Sequence, residues 1–461
     1  MRSRCVFGIL SVFLLAVSCF FLCTDGAGAA AAGNIRVALA RDNDQLFFTV
    51  KGNYEVVDKT TGQVLAVPQQ GEKMQVALKG NRIALADIRS DYDYGSFRGP
   101  LLVREASCRA AIVNSNGRVT EQSMATSQVV NGDGRISALE ASRAPTVKSA
   151  NKTMELAGGS DTLNLVTLSS NTSAAVRYRG DMEFTLEDGV LTAVNVLNIE
   201  DYLRGVVPAE IPSYWHPEAL KAQAVAARNY ALESAQTSRG IFDVRCDVSS
   251  QVYGGYDAES PATNKAVDET KGMVMLEGNR MVSAFFHSCS GGYIENSEDV
   301  WNNSVSYIRT KPDPYDYNDV YYNWHVNYTT EQLIKKLASA GYEFTEIEDI
   351  KELAYTASGE RVKKLQIVGE GMDGEPVTVV IGNADNVRIA LDLRSSLFRL
   401  TKKYDRDENL VGVEIEGSGW GHGLGMSQYG ARGMAEKGYK YQDILKYYYS
   451  GVELAGDYGR R

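Results

Sequence analysis

The 461-residue chain has no block of basic residues, no apolar stretch after residue 33 long enough to cross a bilayer, and no internal repeat. Phosphate neutralisation by Lys and Arg dominates nucleic-acid affinity, so a chain of formal charge -10 is not built for that partner. An acidic ligand would have to be met by a local cluster of cations. Several motifs are also missing. No Gly-x-Ser-x-Gly elbow occurs, which removes the usual setting of a nucleophilic serine. No start within 417–431 completes Gly-x-Gly-x-x-Gly, and no Gly-Lys-Ser/Thr occurs there, so a nucleotide site is not expected. Cys-x-x-Cys is absent as well, which weakens a zinc reading.

What is present begins with Arg2 and Arg4 ahead of an apolar run from Val6 to Leu22, then a small-residue tail, Ala27-Gly-Ala-Ala-Ala-Ala32. A short positive head, an apolar middle and an Ala-x-Ala tail mark residues 1–29 as a secretory signal peptide. An uncleaved anchor is the alternative, because the run approaches spanning length. Lipidation at Cys19 is a weaker one. Losing Arg2, Arg4 and Asp25 with the signal leaves a charge of -11 and a chain that works outside the cytoplasm. Cys5, Cys19 and Cys23 go with it. Cys108, Cys246 and Cys289 remain, enough for one disulfide and a free thiol but not for a disulfide framework.

The pattern along the remaining chain is α+β. Short alternating runs separated by turns make 34–160 a β-rich N-terminal region, with a polar linker or exposed loop over 126–160. Within it, Asn131 to Glu140 imitates part of a calcium loop, but Val129 stands where the first Asp ligand belongs, so it reads as a turn. Residues 161–302 form the expected catalytic region, with a short capped helix from Asn198 and a long one starting at Pro217. A mixed insertion follows over 303–400. Residues 401–455 bring a strand, a glycine-rich segment and two helices.

Glu210 sits among Val207, Ala209 and Ile211, between Pro208 and Pro212. Prolines restrict the backbone, and apolar neighbours disfavour the ionised carboxylate, which suits a general acid. A solvated turn glutamate is the bland alternative. Lys221 and Arg228 are seven apart, on one face of the next helix, and could hold an anionic sugar or organise Glu210. An apolar strand, Met281 to Phe286, leads to His287, Ser288 and Cys289 on a tight glycine turn. Cys246, His287 and Cys289 are three candidate metal ligands; a Cys246–Cys289 disulfide or free thiols suit an exported protein better. Near the end, Trp420 and Tyr429 offer flat faces for sugar stacking, with His422 and Gln428 to hydrogen-bond hydroxyls. A tightly packed core turn is the alternative.

The stretches Glu200 to Pro212, Leu220 to Ala231, Gln251 to Gly254, Phe286 to Gly292 and Gly419 to Ala431 together resemble the SpoIID/LytB family, stage II sporulation protein D and amidase-enhancer proteins. They lie in family order between about 180 and 455. The resemblance implies a lytic transglycosylase that cuts peptide-stripped glycan strands of peptidoglycan, leaving 1,6-anhydromuramyl ends. Glu210 falls at the family's catalytic position. Lys221 and Arg228 match substrate-handling positions, and Tyr202, Gln251, Tyr253, His287, Ser288, Trp420, His422, Gln428 and Tyr429 complete the expected substrate site. Ser249 and Ser250 stand where some members carry zinc ligands, so no cofactor is expected. The other half of the family name implies a second reading: a non-catalytic wall-binding protein that enhances a partner N-acetylmuramoyl-L-alanine amidase.

Overall fold

The computed structural model describes residues 33–456, apart from 43, 107, 108, 318, 319, 321 and several stretches between 114 and 162; for the strands inside 109–155 it describes the backbone alone. The fold is mixed α+β, as expected. Two antiparallel-rich sheets pack face to face. One has seven strands, running from Val244–Arg245 through Asn34–Asp42, Val190–Asn198, Asp181–Glu187, Leu101–Glu105 and Tyr54–Asp58 to Val64–Ala66. The other has six, from Val176–Tyr178 through Leu165–Ser169 and Gln45–Lys51 to Tyr92–Phe97. Alternation drives this: Ile83–Asp87 buries every second residue, and Phe48 meets Phe184 across the sheets at 5.5 Å.

Strands from both sides of residue 160 share each sheet. Asn34–Asp42 pairs with Val190–Asn198, and Gln45–Lys51 with Leu165–Ser169. The expected division at 160 therefore does not separate two cores. Gln128–Val130 pairs antiparallel with Ile136–Ala138, and Thr146–Ser149 with Lys152–Glu155, within the stretch expected to be a linker or exposed loop. Residues 131–135, which begin the calcium-like segment, and Cys108 lie outside the described residues.

Eight helices follow in chain order among the described residues: α1 (Ile199–Glu210), α2 (Pro217–Thr237), α3 (Pro261–Glu269), α4 (Ser297–Val300), α5 (Thr330–Ser339), α6 (Ala384–Ala390), α7 (Gln428–Glu436) and α8 (Tyr441–Tyr448). Local chemistry sets their starts. Asn198 caps α1 by accepting from the Glu200 N–H at 2.9 Å, and Pro217 opens α2. Thr329 and Gln332 make a capping box at α5. The alanine-rich α2 is buried on two sides. Leu220, Ala224 and Ala227 join the core of the sandwich, while Ala219, Ala222 and Ala226 join a second core with α7 and α8.

A third core spans Trp324 to Ile415, built from α5, α6 and two three-stranded sheets. Leu410–Ser418 is the central strand of one of them, between Asn323–Thr329 and Phe398–Tyr404. The insertion thus reaches past residue 400. The expected strand from Met281 to Phe286 is paired only at its ends, Arg280–Met281 and Phe286–His287. Between them the Ser283 N–H bonds the Tyr307 hydroxyl at 2.8 Å, and the Phe285 N–H turns back to the Ser283 carbonyl.

Candidate active site

Glu210 is the last residue of α1. Pro208 lies in the final turn, where its missing N–H removes a helical bond, and the chain leaves the helix at Ile211 with φ -137°. The carboxylate is half-buried and held at two points. Oε1 accepts from the Val252 N–H at 2.8 Å, and Oε2 from the Gln428 side-chain amide at 3.3 Å. Burial raises its pKa above the ordinary carboxylate value, although both hydrogen bonds act to lower it. A carboxyl whose pKa burial raises, beside two neutral donors and no cation, is suited to giving up a proton and taking one back.

Several of the expected substrate residues instead build the wall behind Glu210. Tyr202 is fully buried, and its hydroxyl donates to Gln251 Oε1 at 3.2 Å. Gln251 is buried too and donates to the Ala227 carbonyl on α2. Tyr253 packs against Gly205, where a Cβ would come within 2.5 Å of its ring, and its hydroxyl donates to Asn195. These three pin the 251–253 segment between α1 and α2, so that the Val252 N–H reaches Glu210. The resemblance placed them in the substrate site; their burial makes them scaffold.

The two cations of α2 also have other partners. Arg228, 1% exposed, makes a two-pronged pair with Glu200 at 3.0 and 2.7 Å and donates to the Met273 carbonyl. Lys221 bridges Glu218 at 3.2 Å and Glu269 at 2.7 Å. Neither is paired with Glu210. The shared helix face was legible, but of the carboxylates that claim it only Glu218 lies on α2; Glu200 and Glu269 come from α1 and α3.

Gln428 opens α7, capped by the Ser427 hydroxyl, which accepts from the Gly430 N–H. Phe286–His287 runs parallel to Met426–Ser427, and the Tyr429 N–H donates to the Ser288 carbonyl at 3.0 Å. Ser288 thus contributes its backbone to holding Gln428 in place. The Tyr429 ring stands edge-on to Trp215 at 4.9 Å, with the Arg432 guanidinium 5.5 Å from Trp215 on α7's side. Trp215, which the sequence reading passed over, and Tyr214, 81% exposed beside it, follow Glu210 in the turn before α2. An aromatic pair, Tyr214-Trp215, one residue removed from Pro212 was the available signal.

His287 and His422 are structural. His422 Nδ1 accepts from the Leu424 N–H at 3.0 Å, which leaves Nε2 to donate to the Phe286 carbonyl at 3.1 Å. Burial lowers its pKa to about 4, and that of His287 well below the ordinary value. Trp420 differs: it is 42% exposed, on a turn held to Cys289 by reciprocal backbone hydrogen bonds of 3.0 and 2.8 Å. Cys246 and Cys289 are not bonded to each other, so the Cys246–Cys289 disulfide alternative is overturned. Cys246 donates to the Leu39 carbonyl, whereas Cys289 faces the Asp316 carboxylate at 3.3 Å. The three suggested metal ligands are not drawn together, and no group of three or more His, Cys, Asp or Glu able to hold a metal occurs among the described residues.

A family model described as stage II sporulation protein matches residues 187–276, which include α1, α2 and the 251–253 segment. The chain belongs to the SpoIID/LytB family. A second model, a domain of unknown function, covers 296–425. The amidase enhancer of Bacillus subtilis (strain 168) is 32% identical over 55% of this chain, which spans 40% of that protein's length. Stage II sporulation protein D of the same organism is 28% identical over 57% of this chain and 76% of its own. An uncharacterized protein of Brachyspira hyodysenteriae is 32% identical over 62% of this chain and 74% of its own.

Proposed function

We propose that this chain is an exported cell-wall enzyme, a lytic transglycosylase that cuts peptide-stripped peptidoglycan glycan strands with Glu210 as its acid and base. The observation that carries the reading is the setting of Glu210: a half-buried carboxyl at a helix end, held by two neutral donors, with burial pushing its pKa up. In the proposed step Glu210 gives its proton to the glycosidic oxygen as the C1–O bond breaks. The C6 hydroxyl of the same sugar then bonds to C1 and returns its proton to the carboxylate. No water is consumed and no second carboxylate is needed, unlike the two-carboxylate hydrolases. The Gln428 amide and the Val252 N–H hold the carboxyl in place through both transfers, and no cofactor enters.

Export by a signal over 1–29 belongs to the same proposal; no helix of the described residues is long and apolar enough to cross a membrane. The chain without 1–29, incubated with peptide-stripped strands, should give anhydro-ended fragments by mass spectrometry. Glu210→Gln should lower that rate by about a thousandfold with the fold retained. Near-normal cleavage by the variant would refute the assignment. The likeness to the amidase enhancer favours a second reading, a wall-binding partner of an N-acetylmuramoyl-L-alanine amidase. Intact strands that stay bound to the protein, with faster hydrolysis by an added amidase, would select it.

A further inference from the structure

The insertion adds a recess to the solvent side of its sheet. About 620 Å³ in volume, it is lined by Asn323, Trp324, His325, Arg399, Glu416 and Ser418, among others. Its polar groups carry both signs and both hydrogen-bonding senses: Ser418 donates to Asn323 Oδ1 at 2.8 Å, and Arg399 donates to the Glu360 carbonyl at 2.9 Å. Such a surface suits a ligand rich in hydroxyl and amide groups.

Two residues beyond Ser418 stands the exposed ring of Trp420. Gly419 between them has φ +82°, and a Cβ there would lie 2.8 Å from the Cys289 carbonyl oxygen. The turn is therefore pinned against the 287–291 run and presents the indole outward. The ring is 42% exposed, with the Arg394 guanidinium 5.8 Å from its centroid, so it offers a flat face beside a cation. From Trp420 the path to the reacting group is continuous. Cys289 faces Trp420, Ser288 bonds Tyr429, and Gln428 bonds Glu210.

We propose that the recess and Trp420 form a distal subsite for a glycan strand of amino sugars, holding the part of the strand beyond the bond at Glu210. This gives a role to the 296–425 stretch, and it rests on the glycan-cleavage reading. The C–H face of a pyranose stacks on the indole, while hydroxyl and acetamido groups meet Asn323, Arg399 and Glu416. Strand length is therefore sensed by the insertion.

The test uses the full chain without 1–29, carrying Glu210→Gln, and peptide-stripped strands of two lengths, tetrasaccharide and long polymer. Affinity for each is read by calorimetry. Long strands should bind more tightly, and Trp420→Ala, or Arg399→Ala with Glu416→Ala, should each lower the long-to-short affinity ratio by about tenfold. Trp420→Phe should restore most of the ratio, which simple unfolding would not allow. A ratio unchanged in both variants overturns the subsite. A falling ratio in a protein whose parent gives no anhydro ends leaves the subsite standing and removes the catalytic reading. Cleavage with an unchanged ratio does the reverse, and no binding at either length overturns both.

Discussion

Glu200 lies in the first turn of α1 and Glu210 is its last residue, and their surroundings are opposite in kind. Glu200 meets the buried guanidinium of Arg228 through two hydrogen bonds and accepts a third from the Gly272 N–H at 3.1 Å. Glu210 meets one backbone N–H and one neutral amide. The helix dipole favours a negative charge at the first site and disfavours it at the second. Burial with a cation makes a carboxylate a structural strut. Burial with neutral donors at the C-terminal end leaves one that is poised to carry a proton. The charge of the partner, more than the depth of burial, separates the two roles.

The largest effect on this contrast should come from removing the cation. Arg228→Ala leaves Glu200, with a side chain 13% exposed, beside an unfilled space and without its countercharge. A buried pair broken on one side costs about 3–5 kcal/mol. Denaturant unfolding should show that loss, with substrate affinity per folded molecule little changed. A variant of ordinary stability that binds glycan poorly would return Arg228 to the substrate-handling role that its place on α2 suggests. Arg228→Lys should recover only part, since an ammonium cannot make the two-pronged contact.

A smaller effect is expected at the other end. The Gln428 amide lowers the Glu210 pKa against the larger upward push of burial. Gln428→Ala removes that lowering, so the alkaline limb of the rate–pH profile should move to higher pH, because the acid stays protonated longer. The maximal rate should fall by the equivalent of about 1 kcal/mol from lost orientation. A limb that moves to lower pH would mean that Gln428 does not stabilise the carboxylate.

The legible parts of the molecule were those set by neighbours in sequence. The cap at Asn198, the proline starting α2, the two helices after the glycine turn and the confinement of Glu210 by Pro208 and Pro212 are all local chemistry. The partners were not local. Gln428 comes to Glu210 from 218 positions away, and Arg228 finds Glu200 across 28. Residue type alone could not tell Tyr202 and Tyr253, buried on their hydroxyl bonds, from Trp420, which faces water. Helical spacing placed Lys221 and Arg228 on one face but said nothing of which carboxylates cover it. The sheets were obscured for the same reason: Asn34–Asp42 is completed by Val190–Asn198 and by Val244–Arg245 beyond α2.

The smallest effect sharpens the distinction between poised and structural groups at His422. Its ring is held neutral, with a pKa lowered to about 4, chiefly by burial; Asp385 opposes that shift, while Arg388 and Arg361 add to it. The unfolded chain takes up this proton near the ordinary histidine value of about 6.5. The stability due to a neutral His422 is therefore complete above that pH and is lost as pH falls toward about 4. His287 has the same sign, whereas Asp181 and Asp313, raised to about 6 and about 7, change in the opposite sense. The whole-protein curve mixes these groups, so the useful quantity is the difference between the wild type and His422→Gln. The variant loses the hydrogen bond to Phe286 or to Leu424, so the wild type should be more stable at pH 7, and its advantage should narrow steadily on acidification. An advantage that stays constant from pH 7 to 4 would show that the imidazole takes up its proton inside the fold as readily as in the unfolded chain, and that burial does not hold His422 neutral.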